Sequence, residues 1–304
     1  MAQFYDIIGD VHGYATVLEK LLQELGYKKN NRAYSHPSRQ AVFVGDIIDK
    51  GPEIRQALFI VRSMVDNRSA QMVLGNHEVN AIGWQYKDLD GNYLRERSED
   101  NMVQHKETLE AFPDPKEQMD NVKWFQTLPL SLDLGGIRVV HAAWNDEIHH
   151  EAGKTPYNNF SLLMAFSNFL PTQERYEILC KGYETKLPKG MSFKDDKGKE
   201  RTHLRTKWWK GSKGRTYRDL TLNEALPSPE KRVVDPKLPK KDYSGEAPVF
   251  FGHYAADPAT LIMSPKVACL DYGIYEPKRA PLHAYRWDGE KELSADKIVK
   301  MPHK

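Results

Sequence analysis

FYDIIGDVHG, residues 4–13, reads as a short apolar strand, Phe4 to Ile8, that runs straight into a glycine, a carboxylate and an imidazole. Asp10 and His12 are one residue apart, so at an extended strand end both side chains point to one side and can chelate one cation. The following sequence repeats this pattern. AVFV at 41–44 is a second strand leading into GDIIDKGP at 45–52, and QMVL at 71–74 is a third leading into GNHE at 75–78. Between them Leu18, Leu21, Leu22 and Leu25 fall at helical spacing with Gly26 as the C-cap, and Ile54, Leu58, Val61 and Val65 line one face of a second helix. Strands alternating with helices predict an α/β fold whose motif-bearing loops gather at one rim.

Further along, residues 99–127 read as helical, with Trp124 and Phe125 in the core. Leu130 to Leu134 and Ile137 to His141 read as a hairpin about Gly135 and Gly136. Pro248 to Phe251 is another strand, ending in Gly252 and His253, and Val267 to Leu270 and Leu282 to Trp287 are closing strands. The strand ends therefore collect a set of donors. Asp46 can bridge two cations through its two oxygens, Asn76 offers an amide oxygen, and His141 and His253 offer imidazole nitrogens. Such mixed oxygen and nitrogen shells favour manganese, iron or zinc over calcium. Gly9, Gly45, Gly75 and Gly252 each precede a ligand, where a bare backbone permits tight turns.

With 304 residues, 40% hydrophobic and 28% charged, the chain can bury one substantial core. Cys180 and Cys269 are too few for a disulfide framework or a thiolate metal cluster. The start at Met1 lacks the basic and apolar stretches of a secretory signal, and no apolar run approaches the ~20 residues that span a bilayer. A cytoplasmic location, with no membrane partner, is the expectation. Charge is uneven: residues 181–241 hold 18 Lys or Arg against 8 Asp or Glu. The single domain, 1–304, is expected to carry an insertion at about 145–245, loop-rich and basic over 181–241. That stretch reads either as a solvated surface lobe or as a basic flap that attracts anions.

Taken in order, GDVHG, GDIIDKGP, GNHE and the GH at 252–253 resemble the metallophosphoesterase (calcineurin-like) superfamily from Asp6 to about Gly273. Within it the chain is similar to the phosphoprotein phosphatase branch, which holds bacterial serine/threonine phosphatases and diadenosine tetraphosphate hydrolases. Ala255, two residues beyond His253, replaces the second histidine of the nuclease and purple-phosphatase branches. The resemblance implies an α-β-β-α sandwich of two mixed sheets flanked by helices. It also implies two divalent metal ions, manganese first and iron or zinc as alternatives. Asp10, His12 and Asp46 would hold the first, and Asp46, Asn76, His141 and His253 the second. The implied reaction is in-line attack on phosphorus by a metal-bridging hydroxide, with His77 protonating the leaving group and Asp49 supporting it.

One departure bears on substrate. Related phosphatases have Asp-Arg-Gly where this chain has Asp49, Lys50 and Gly51, and lysine cannot grip phosphate bidentately. No arginine follows closely after GNHE either, so Arg205, in HLRTKWW at 203–209, is the expected second substrate-binding cation beside Lys50. The leading expectation is hydrolysis of phosphate monoesters, on phosphoproteins or small esters. Dinucleoside polyphosphate hydrolysis is the alternative, since Pro52 after Lys50 and Gly51 also occurs in bacterial members of that type. A silent phosphate-binding scaffold ranks third. The lysine-rich stretch shows no aromatic-basic motif for nucleic acid.

Overall fold

The computed structural model describes residues 4–31, 33–153, 170–194, 198–222, 231–257, 260–276 and 280–303. The chain divides into two compact units, Met1–Lys181 with Ala247–Lys304, and Gly182–Glu246.

The larger unit is built on two sheets. The first runs in the order β15 (Ile298–Met301), β14 (Leu282–Trp287), β1 (Phe4–Ile8), β4 (Arg39–Phe43), β5 (Ala70–Met72). Strands β1, β4 and β5 are parallel, and β14 and β15 add antiparallel to one side. Parallel neighbours need crossovers, which α1 (Ala15–Glu24) and α2 (Ile54–Asp66) supply, with a small hairpin of β2 (Lys28–Asn30) and β3 (Ala33–Ser35) after α1. The second sheet runs β13 (Val267–Cys269), β12 (Val249–Phe251), β7 (Arg138–Val140), β6 (Ser131–Asp133). Here β7, β12 and β13 are parallel, and β6 pairs antiparallel with β7. This mixed α/β architecture of two sheets is the one that the resemblance implies.

Strand periodicity decides the layers. Tyr5, Ile7, Val42 and Val44 of the first sheet meet Val139, Phe250, Ala268 and Leu270 of the second in one buried cluster. Each fully buried aliphatic side chain there contributes roughly 2 kcal/mol. Asp6, one position out of phase, points to the other face, where Arg39 Nε bonds both its carboxylate oxygens at 3.0 Å. Arg39 also reaches Asp288 and the Tyr5 and Trp287 carbonyls, so a buried charge is fully partnered. The helices close over their own apolar faces: Leu18, Leu21, Leu22 and Leu25 are fully buried, as are Ile54, Leu58 and Val61. Gly26, at φ +90°, ends α1 in the conformation that a glycine C-cap provides.

Two expectations change. The helical stretch 99–127 is two helices, α4 (Glu99–Ala111) and α5 (Pro115–Phe125). Asp114 caps the second through the Lys116 N–H at 2.9 Å, and Pro115 occupies its first turn, where a missing N–H costs nothing. The first sheet also gains β15, and β2 and β3 form a separate two-stranded hairpin, neither of which the apolar pattern announces. Trp124 and Phe125 are buried as expected. Among the described residues, no helix is long and apolar enough to cross a membrane.

The smaller unit is described by itself. Strand β8 (Glu184–Lys186) pairs antiparallel with β11 (His203–Arg205), and β9 (Phe193–Lys194) with β10 (Glu200–Arg201). Trp208 and Trp209 are buried with perpendicular rings 5.9 Å apart, and Tyr243 lies 5.9 Å from Trp208. Arg205 lies on β11 opposite Glu184. Of the stretch read as an insertion, residues 154–169, 195–197 and 223–230 lie outside the described residues.

Candidate metal centre

The parallel strands of both sheets end in polar loops. β1 leads to Asp10 and His12, β4 to Asp46 and Asp49, and a third loop, after β5, leads to Asn76 and His77 at the start of α3 (Asn76–Gln85). In the second sheet β7 leads to His141, β12 to His253 and β13 to Asp271. Hydrogen bonds tie the two rims together: His141 Nδ1 donates to the Val44 carbonyl at 2.8 Å, and the His253 N–H donates to Asp10 Oδ2 at 3.1 Å.

Asp46 is the hub. Its Oδ2 lies 3.3 Å from His141 Nε2, 3.7 Å from His12 Nε2 and 3.8 Å from His77 Nε2, while Oδ1 accepts the His77 backbone N–H at 3.0 Å. Burial disfavours its charge, but His141, then His77 and His12, hold the carboxyl well below the usual carboxylate range. The donor atoms of His12, Asp46 and His77, and those of Asp46, His141 and His253, all fall within 4.8 Å of one another in each group. Two donor sets thus share one carboxylate.

Asp10 completes the cluster from the β1 side. Its Oδ1 is buried with no hydrogen-bond partner, and burial, then the charges of Asp271 and Asp46, push its pKa well above the ordinary value. A carboxylate buried among like charges is stable only with a cation beside it. The imidazoles are set for the same purpose. His12 places Nδ1 3.0 Å from the Ile48 carbonyl, leaving the Nε2 lone pair toward Asp46, and burial and then His77 push its pKa down to about 3, so the ring is neutral. His141 faces oxygens with both nitrogens, Nε2 lying 3.1 Å from Asn76 Oδ1. An imidazolium satisfies that set, and so does a neutral ring with a cation at Nε2. These residues fit divalent cations.

The His77–Asp49 pair lies alongside. His77 Nδ1 is 2.5 Å from Asp49 Oδ2, and His105 Nδ1 is 2.8 Å from Asp49 Oδ1. Burial opposes the charge on Asp49, but the hydrogen bonds from His105 and His77 hold its pKa far below the usual value. Burial likewise opposes an imidazolium at His77, and the Asp46 and Asp49 carboxylates outweigh it and raise the pKa. Lys50 Nζ lies 4.7 Å from the centre of the Tyr275 ring, which itself stands edge-on to His12 at 4.7 Å.

Several participants escape a sequence reading. Glu78 accepts the N–H groups of Gly75, Asp46 and Ile47 at 3.0, 2.9 and 2.8 Å, locking the second and third loops together. Burial, then Asp46, push its pKa up to about 7. Asp271 accepts from the Ala255 and Gly273 N–H groups, both at 2.8 Å, and so braces the turn that carries His253. Of the eight non-glycine residues with positive φ among those described, six are His12, Asp46, Asp49, Lys50, His253 and Ala255. Backbone strain is concentrated where the loops converge. Gly75 and Gly252 serve a different purpose from tight turning: a Cβ there would stand 2.1 Å from Asp46 Oδ1 and 1.9 Å from Asp10 Oδ1.

The family model for calcineurin-like phosphoesterases matches residues 5–256, a span that contains every one of these donors except Asp271. The chain belongs to the calcineurin-like phosphoesterase family. Curated members similar to it include the asymmetrical bis(5'-nucleosyl)-tetraphosphatase PrpE of Oceanobacillus iheyensis, 37% identical over 143 residues, 45% of this chain and 54% of that protein. The PrpE of Halalkalibacterium halodurans is 32% identical over 145 residues, 44% of this chain and 57% of that one. The chain thus spans about half the length of these curated relatives. Among solved structures, the cold-active protein-tyrosine phosphatase of a Shewanella species aligns over 99% of this chain and 81% of its own, at 13% identity and a TM-score of 0.48.

Proposed function

We propose that the chain hydrolyses dinucleoside polyphosphates in a metal-dependent reaction, cutting a phosphoanhydride bond between two nucleotides. The observation that carries the reaction type is the Asp46 carboxylate set among the imidazoles of His12, His77, His141 and His253, with His77 turned to Asp49 through Nδ1. The substrate class rests on the tetraphosphatase names of the relatives at 37% and 32% identity. Phosphate monoesters, first in the sequence reading, take second place for that reason.

In this reading Asp10, His12 and Asp46 hold one cation, and Asp46, Asn76, His141 and His253 the other, with manganese ahead of iron and zinc. Bound divalent cations lower the pKa of water and offset charge on phosphoryl oxygens. The chain does the rest. His12 and His141 keep their Nε2 atoms turned to Asp46 because their Nδ1–H groups are spent on the Ile48 and Val44 carbonyls. Glu78 holds the loops of Asp46 and Asn76 in one geometry. Lys50, over the Tyr275 ring, supplies a positive charge to the substrate's phosphates. His77 gives a proton from Nε2 to the departing phosphate oxygen, while Asp49 orients the ring through Nδ1 and sustains its charge.

The test is a substrate panel on manganese-reconstituted protein: diadenosine tetraphosphate, mononucleotides, a phosphopeptide and p-nitrophenyl phosphate, with Asp46→Asn as control. The expected result is the highest kcat/KM on the dinucleotide, lost in Asp46→Asn. A preference for the phosphopeptide returns the monoester reading, and no metal-dependent hydrolysis of any substrate refutes the assignment.

A further inference from the structure

Helix α4 turns a polar side inward. Asn101, Gln104, His105 and Thr108 fall on one face of the helix, and all four are buried or half-buried. Met102 and Val103, apolar residues of the same helix, are 51% and 63% exposed. Burying a polar face costs free energy unless each group is hydrogen-bonded, so its partners show what the face serves. His105 Nδ1 stands 2.8 Å from Asp49 Oδ1, and Thr108 Oγ1 donates to that same oxygen at 2.5 Å while accepting the Asp49 backbone N–H at 3.0 Å. Asn101 and Gln104 accept from Arg95 Nη2 at 3.2 and 3.0 Å. Arg95 is 8% exposed and has no carboxylate within ion-pair distance among the described residues. The four polar side chains of this face therefore serve either Asp49 or Arg95.

A carboxylate held through one oxygen turns about its Cβ–Cγ bond. With Oδ1 saturated by His105 and Thr108, and the backbone tied to Thr108 as well, only Oδ2 is left, and it faces His77 Nδ1 at 2.5 Å. We infer that α4 is the element that sets the Asp49 carboxylate for His77, with His105 and Thr108 as positioning residues for the leaving-group acid. This rests on the acid role given to His77 above. Nothing in the four motifs points to either residue, which lie 56 and 59 positions beyond Asp49.

The experiment compares Thr108→Val, close in shape, with His105→Leu and His105→Asn, whose amide nitrogen stands where Nδ1 did. Each is made alone and with His77→Asn, and bound metal is counted throughout. On diadenosine tetraphosphate, Thr108→Val and His105→Leu are expected to lower kcat by about tenfold to a hundredfold, as loss of a ligand's supporting partner does. KM and metal content stay constant, His105→Asn recovers most of the rate, and with His77 already replaced neither change costs anything further. The same fold-loss in the His77→Asn background overturns the inference, and so does loss of metal.

A second readout does not use turnover: the deshielded Nδ1–H proton resonance of His77 in metal-free protein. It is expected to move upfield in Thr108→Val and His105→Leu, and an unmoved resonance also overturns the inference. If His77→Asn keeps full activity while that resonance moves in the α4 variants, the acid role fails and the positioning stands.

Discussion

Gly75→Ala is the sharpest perturbation of the hub. The added methyl carbon would stand 2.1 Å from Asp46 Oδ1, 2.5 Å from the Asp46 nitrogen and 2.9 Å from Asp46 Cγ. Ordinary contact begins near 3.4 Å, so Asp46 must retreat by more than 1 Å. Backbone conformation adds no penalty, since Gly75 has φ −88°. Asp46 cannot yield cheaply, because its Oδ1 accepts the His77 N–H and its own N–H is held by Glu78. Overpacking of this kind costs about 1–3 kcal/mol, and disturbing a ligand's support weakens metal binding about 10- to 100-fold. Manganese titration and urea denaturation measure the two effects separately. Wild-type manganese affinity together with unchanged stability in Gly75→Ala would refute the packing argument.

Arg39→Met strips Asp6 of the Nε–H shared by both its oxygens and leaves a buried carboxylate without its main cation, which should cost about 3–5 kcal/mol in chemical denaturation. A loss under 1 kcal/mol would show that Arg286, whose Nε is 3.6 Å from Asp6 Oδ1, suffices. His283 is fully buried against the Tyr272 ring at 4.1 Å, and burial pushes its pKa down from 6.5 to about 4. The unfolded chain takes that proton first, so stability falls as pH drops from about 6.5 to about 4, by roughly 3 kcal/mol, and levels off below. Comparing pH-dependent urea midpoints of wild type and His283→Phe tests this, and parallel curves would contradict it.

The first three motifs were legible because each couples a strand end to a glycine and a donor, a local pattern that survives without tertiary information. The apolar faces of α1 and α2 were legible for the same reason, since Leu18 to Leu25 and Ile54 to Val61 carry the helical period. The break between α4 and α5 had a local signal too, Asp114 with Pro115, overridden by the apparent continuity of residues 99–127. What stayed hidden depends on contacts across the chain. Glu78 lies inside GNHE, yet its partners are backbone groups of the preceding motif. Asp271, His105 and Thr108 act through residues 16, 56 and 59 positions away. β15 is three half-buried residues and an exposed Lys300, and its place is fixed by pairing with β14.

The proposed reaction requires Asp46 to serve two cation sites at once. Its most direct test is the manganese stoichiometry of the protein by equilibrium titration, for wild type and for Asp46→Asn. Two ions per wild-type chain, with both affinities falling together in Asp46→Asn, is the predicted result. A single ion in the wild type, or a second site untouched by Asp46→Asn, would contradict it.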